Sequence, residues 1–327
     1  MNSPFLRIAI VRLSALGDIV NTAVVLQIIH QYYPGAIIDW FVEEAFASIL
    51  EGHSLINEVI PIPLKKIKKE KDISLLYTTI KVLRSREKYD HIIDAQGLLK
   101  SALVAAFLRG PVHGFDHNSA REGIASWFYT TTSAIAYDVN VIKRNVMVIT
   151  QALNIPYSDV LIEQKLPVFA YTPSTNNEKK IALVIGASWP SKCYPKEHFA
   201  TLCDLLSYPC HLIWGSESEY QDALWIAQHT NNAVIADKMS LPQLVNFIAG
   251  CTLTIGNDTG PTHIAWAMNR PSITLFGPTN ERMIYPTPVN IPIKSPSTVN
   301  IYHINRNDFS IKQIDPQHIA DKAIELL

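Results

Sequence analysis

The sequence predicts an α/β protein built as two doubly wound halves. Short β-branched runs alternate with helical patterns along the chain, a Pro-rich polar stretch interrupts them once near the middle, and the alternation then restarts. A chain of 327 residues is also long for a single core, at ~100 to 200 residues per domain. With 48% hydrophobic and 17% charged residues and a net charge of −1, it has the balance of a soluble globular protein and excludes collagen-like, disordered and supercharged classes. Up to residue 160 there are 16 Lys and Arg against 15 Asp and Glu, and beyond it 12 against 14. Neither half is a basic block, so nucleic acid is not expected as a partner.

Strands are expected at residues 6–11, 37–42, 58–62, 91–93 and 112–115, where Val and Ile concentrate between turn signals, with helices near 17–32, 74–85, 98–108 and 141–153. Between 153 and 180 the pattern fails: Pro156, Pro167 and Pro173 punctuate it, and residues 173–180 are polar and turn-rich. The second series has strands at 181–185, 210–214, 233–235, 253–255 and 272–276 and closes with a helix over 315–327 that carries Pro316 in its first turn. This divides the chain into a domain over 1–160, a linker over 161–180 and a domain over 181–327, the last helix being placed to pack back on the first domain. Two such halves put a ligand cleft at the carboxyl ends of their strands.

The longest charge-free run, residues 19–38, is broken by Asn21, Gln27, His30, Gln31 and Pro34-Gly35, short of the ~20 apolar residues of a spanning helix. The N-terminus enters a strand with no signal-peptide pattern, which gives the cytoplasm as the expected location. Cys193, Cys203, Cys210 and Cys251 have no C-x-x-C spacing and read as isolated thiols. The densest basic run, Lys65-Lys66-Ile67-Lys68-Lys69-Glu70-Lys71, is a solvated face, a group that gathers an anionic acceptor, or a contact for an anionic membrane surface.

Chemistry concentrates in the turns that end strands. Arg12 to Asp18 follows the first strand with one glycine, which is too few for a dinucleotide fingerprint, and Asp18 reads equally as a helix-start carboxylate or a functional acid. Asn257-Asp258-Thr259-Gly260-Pro261-Thr262-His263 joins a strand to a helix: a helix start, a glycine and several polar side chains suit a phosphate, against the plainer reading of Asp258 as an N-cap. Gly186 to Pro195 carries Lys192 as an isolated cation, either for a diphosphate leaving group or on the surface. Glu217 and Glu219 end another strand, where a carboxylate could accept from a ribose, and Gln96 and Lys100 lie in the turn Asp94 to Ser101. The histidines lack metal-ligand spacing, and G-x-S-x-G is absent.

Taken in order, Ser14-Ala15-Leu16-Gly17-Asp18, Ile93 to Ala102 (IDAQGLLKSA), Ser119-Ala120-Arg121-Glu122, Lys192 with Pro195, and Asp258 to His263 resemble the ADP-heptose:lipopolysaccharide heptosyltransferases over essentially the full length, most like heptosyltransferase I. The resemblance implies a GT-B glycosyltransferase fold, two Rossmann-like domains facing a central cleft, and inverting, metal-independent transfer without a cofactor. It implies L-glycero-D-manno-heptose as the transferred sugar, ADP-heptose as donor, the Kdo residue of Kdo-lipid A as acceptor, and a peripheral location on the anionic cytoplasmic face of the inner membrane, for which the basic run 65–71 is the candidate contact. Asp18 matches the catalytic base. Ser188, Lys192, Glu219, Asp258, Thr259, Gly260 and His263 match donor positions, Glu219 near the nucleoside, and Ser14, Gln96, Lys100, Arg121 and Arg144 match acceptor positions. Three departures stand out: Ala15 for a serine, Ala187-Ser188 for a Thr-Thr pair, and Asn140 for a histidine. The alternatives are transfer to the first heptose in the manner of heptosyltransferase II, a sugar-nucleotide epimerase, or a nucleotide-sugar binding protein without catalysis, which would keep Asp258 to His263 but have no need of Asp18.

Overall fold

The computed structural model describes residues 5–172 and 178–327; the first residues of the chain and most of the polar stretch from Pro173 lie outside them. The chain divides into two compact units, one up to Val168 and one from Phe169.

The first unit contains β1 (Arg7–Val11), α1 (Leu16–Ala23), α2 (Val25–Tyr32), β2 (Ile37–Glu43), β3 (Glu58–Ile62), α3 (Leu64–Glu70), α4 (Ile73–Ser85), β4 (His91–Asp94), α5 (Leu99–Phe107), β5 (Val112–Phe115), β6 (Thr131–Ser133), α6 (Val141–Ala152) and α7 (Val160–Glu163). Its strands form one sheet in the order β3-β2-β1-β4-β5-β6, and every pairing is parallel. The central strands are buried along nearly their whole length, as helices on both faces require.

The second unit contains β7 (Ile181–Val184), α8 (Lys196–Leu205), β8 (Cys210–Ile213), α9 (Glu217–His229), β9 (Ala233–Ile235), α10 (Leu241–Ala249), β10 (Leu253–Asn257), α11 (Gly260–Ala267), β11 (Ser272–Phe276), β12 (Asn290–Lys294) and α12 (Pro316–Leu326). Its sheet order, β12-β11-β10-β7-β8-β9, is the same topology as the first. In both sheets the chain reverses its winding between the first and fourth strands, β1 with β4 and β7 with β10. Open α/β sheets bind ligands at the carboxyl ends of such switch strands, so four turns are singled out by topology alone.

Several differences from the sequence reading have local causes. The helix expected over 17–32 is two helices meeting at Val24; the Thr22 hydroxyl donates to the Asp18 carbonyl at 2.7 Å, a back-bond that bends helices. Residues 161–168 are part of the first unit rather than free linker, because Gln27 bonds Leu166 and Pro167 and His53 bonds the Val168 carbonyl at 2.8 Å. The apolar face of α12 is used inside the second unit, where Ile319, Ala320 and Ala323 join the core against α8 and β11.

Candidate active site

In the first unit, the turns after β1 and β4 are stitched together. Leu13 N–H donates to Gln96 Oε1 at 2.8 Å, and the Ser14 hydroxyl accepts from Lys100 Nζ at 2.7 Å and Gln96 Nε2 at 3.4 Å. Asp18, in the first turn of α1, is tied to the same pair of turns through Arg12. Its Oδ1 lies 2.9 Å from Arg12, and its Oδ2 accepts from the Ala15 N–H at 3.1 Å. The Arg12 side chain is 8% exposed and that of Asp18 is 27% exposed, so Arg12 holds a carboxylate whose other flank meets solvent. Arg12 also donates to the Ala95 carbonyl. Asp18, Ser14, Gln96 and Lys100 are therefore brought to one patch. Partial burial lowers the Lys100 ammonium pKa; Glu43 opposes this, and Lys65 and Arg12 add to it.

This patch rests on a residue whose role sequence spacing did not reveal. Asp94 is fully buried, takes the N–H groups of Gln96 and Gly97 on one oxygen at 2.8 and 3.2 Å, and accepts from the Tyr129 hydroxyl on the other at 2.7 Å. Burial pushes its pKa up, against those hydrogen bonds. Gly97 has φ +68°, and a side chain there would press on Phe115 and Ala120, which accounts for glycine at this turn. Glu122 closes the start of α5 by accepting from Leu99 N–H at 2.7 Å, leaving the neighbouring Arg121 exposed.

Arg144 is turned inward. It is 5% exposed, donates to the carbonyls of Ser119, Ile135 and Ala136 at 2.6 to 3.3 Å, and lies over the Phe115 and Tyr137 rings. Its guanidinium supports the loop that bears Arg121. Asn140 serves as the N-cap of α6, accepting from the N–H groups of Ile142 and Lys143, which an imidazole would do less readily.

In the second unit the turns after β7 and β10 are joined by Asn257, which donates to the Ile185 and Gly186 carbonyls at 2.8 and 3.2 Å and accepts from Tyr194 N–H at 3.0 Å. Asp258 is 2% exposed and is not a helix cap; Thr259 occupies that position. The Asp258 carboxylate meets Lys192 Nζ at 2.7 Å, His263 Nε2 at 3.2 Å and the Thr279 hydroxyl at 2.8 Å. Burial alone would raise its pKa, but the Lys192 charge and His263 outweigh burial and hold the carboxyl well below its ordinary range. Lys192, 9% exposed, is thus half of an internal ion pair and not a surface lysine. Gly260 opens α11, whose N-terminus carries about half a positive charge. A model of glycosyltransferase family 9 (heptosyltransferase) matches residues 77–310, which include most of these turns.

The chain belongs to glycosyltransferase family 9. It is 36% identical to lipopolysaccharide heptosyltransferase 1 of Campylobacter coli over 98% of this chain and 99% of that protein. Among solved structures it is similar to the Escherichia coli heptosyltransferase WaaC with ADP, at 27% identity and a TM-score of 0.84, covering 98% of this chain and 100% of that one. It is also similar to the same enzyme with ADP-2-deoxy-2-fluoro heptose, at 26% identity and a TM-score of 0.82 with the same coverage. The two Rossmann-like units are those of the GT-B fold.

For a family 9 enzyme the remaining expected residues sit as follows. Ser188 is exposed in the turn after β7. Glu219 closes a capping box on α9, its Oε2 accepting from the N–H groups of Gly215 and Ser216 at 2.7 and 3.1 Å, and its carboxyl lies against Gly186, where a Cβ would come within 2.2 Å of it. Gly186 therefore lets the acid of one turn reach the backbone of the next, at the mouth of β7. Arg12, Asp94, Asn257 and Thr279 complete the two clusters. Their sequence signal was position alone, since each lies at or just past a strand's carboxyl end or in the next turn.

Proposed function

We propose that this glycosyltransferase transfers L-glycero-D-manno-heptose from ADP-heptose to the Kdo residue of Kdo-lipid A, with inversion and without a metal ion or other cofactor. The observation that carries the reading is the contrast between the two carboxylates. Asp258 is buried and bound to Lys192, His263 and Thr279, so it organises a leaving-group site. The Asp18 side chain is 27% exposed and is tied through Arg12 to the turns that carry Ser14, Gln96 and Lys100, so it can meet a hydroxyl.

In this mechanism the Kdo hydroxyl attacks the anomeric carbon of the heptose, and the bond from that carbon to the ADP oxygen breaks. The hydroxyl proton passes to Asp18 as the new bond forms, when the oxygen has become acidic enough for a carboxylate to take it. ADP departs as an anion toward the start of α11 and the Lys192 pair. The donor assignment is supported by the ADP and fluoro-heptose complexes of WaaC, and a lipopolysaccharide acceptor by the name of the Campylobacter coli relative; its Kdo residue rests on the sequence resemblance. A binding protein without catalysis would leave the Arg12–Asp18 arrangement without a task.

ADP release from ADP-heptose is expected to depend on added Kdo-lipid A and to continue in excess EDTA. Loss of activity on chelation, restored by Mg²⁺ or Mn²⁺, would contradict the metal-free route.

The same reading places the enzyme peripherally on the cytoplasmic face of the inner membrane; among the described residues no helix is long and apolar enough to cross a bilayer. The contact is α3, which has no buried residue and exposes Lys65, Lys66, Lys68 and Lys69, beside the exposed Ile73 and Tyr77 of α4. Attraction is about 1 kcal/mol per basic residue at an anionic surface. Replacing those four lysines by Gln is expected to reduce sedimentation with anionic vesicles and leave ADP binding intact. Unchanged sedimentation of the variant would remove α3 as the contact.

A further inference from the structure

We infer that Arg306 is a second cation for the donor diphosphate, an inference that rests on the ADP-heptose reading above. It begins from a charge balance. Lys192 is the cation that sequence order assigns to the leaving group, yet its ammonium lies 2.7 Å from the buried Asp258 carboxylate and His263 Nε2 turns to the same carboxylate at 3.2 Å, so these groups are spent on Asp258 and the Lys192–Asp258 pair brings almost no net charge to a ligand. The α11 start adds about half a positive charge, and a departing diphosphate carries more than one negative charge. A site made only of these groups is under-charged for its ligand.

Arg306 supplies what is missing. Its guanidinium lies over the Trp189 indole, 4.5 Å from the ring centroid, and Lys192 Nζ lies 5.6 Å from the centroid of the same ring. One side chain, in the turn just before Lys192, thus touches both cations. Trp189 follows the donor position Ser188 directly. Unlike Lys192, Arg306 forms no ion pair among the described residues and is exposed, so its charge is unspent.

The segment around it is built to hold it there. Arg306 sits in a turn closed by Asp308 N–H to the Asn305 carbonyl at 3.2 Å, with Asn307 N–H donating to Asn305 Oδ1 at 3.0 Å. Asp308 anchors the far side by accepting from Ser297 and from Ser310 N–H, and Ser295 and Ser310 share a hydrogen bond at 2.7 Å. The short 3₁₀ helix Ser310–Gln313 that follows touches the one that carries Lys192, Pro190–Lys192. An arginine stacked on an indole keeps its planar N–H edge open, the geometry that grips phosphate oxygens with paired donors.

Calorimetric titration of the full chain with ADP and with adenosine, at low and moderate salt, tests this. Arg306→Ala is expected to bind ADP about tenfold more weakly, the low end for losing a charge-assisted hydrogen bond, with a shallower salt dependence and unchanged adenosine affinity. Arg306→Lys should recover part of the loss, and Lys312→Ala, which removes a nearby exposed cation stacked on Phe309, should lose nothing. Equal ADP affinity for the parent and Arg306→Ala, or equal losses in Arg306→Ala and Lys312→Ala, would overturn the inference alone. A parent chain that does not bind ADP would overturn the functional reading and this inference together.

Discussion

Asp18→Ala is expected to lower kcat by ~10² to 10⁴, the usual contribution of a positioned general base, while leaving ADP affinity as in the parent. The expectation follows from where the carboxylate sits. It is in the first unit, bonded to Arg12 and to the Ala15 N–H, in a turn shared with Ser14, Gln96 and Lys100, whereas the groups suited to a diphosphate belong to the second unit. Arg12 fixes the direction of the carboxylate, so Asp18→Asn, which keeps the shape and removes the basicity, should lose nearly as much. Steady-state kinetics with calorimetry decide the matter: a variant that retains more than half of the parent's turnover removes Asp18 as the base, and one that loses ADP binding places it on the donor instead.

The second large effect concerns the buried pair. Lys192→Met leaves the Asp258 carboxylate without its cation, and Asp258→Asn leaves the Lys192 ammonium without its anion; each is expected to destabilise the second unit by ~3 to 5 kcal/mol, the cost of an uncompensated buried charge. The double variant should lose less than the sum of the two, because it buries no unpaired charge. The pH dependence has a definite sign. Asp258 is held below the ordinary carboxylate range, so its contribution is fully present above the unfolded value of about 3.9 and is lost only as pH falls toward its folded value. The stability difference between parent and Asp258→Asn is therefore expected to be flat near neutrality and to shrink in acid, as read by denaturant unfolding. Additive losses in the double variant would show that the two groups act independently.

Most strands were legible from short runs rich in Val and Ile between turn signals; β11 is buried along its whole length, and β3, β5, β9 and β11 have the expected bounds. The two strands not foreseen lie at sheet edges. β6 is Thr-Thr-Ser, and β12 contains Pro292, which a central strand would not tolerate but an edge strand does. The site was legible as a set of strand-ending turns. What stayed hidden was pairing across sequence. Lys192 and Asp258 lie far apart along the chain and meet only because β7 and β10 are neighbours, so the ion pair has no local signature. Arg144 shows the same limit from the other side: its place along the chain matched a ligand position, and its burial among three carbonyls is a property of packing.

Mass spectrometry of the lipid product tests the central claim most directly. Incubated with ADP-heptose and Kdo-lipid A, the parent chain is expected to add one heptosyl unit to the acceptor and release ADP, and an acceptor that already carries the first heptose should remain unchanged. No gain in mass on Kdo-lipid A, or a gain only on the heptose-bearing acceptor, would contradict the account.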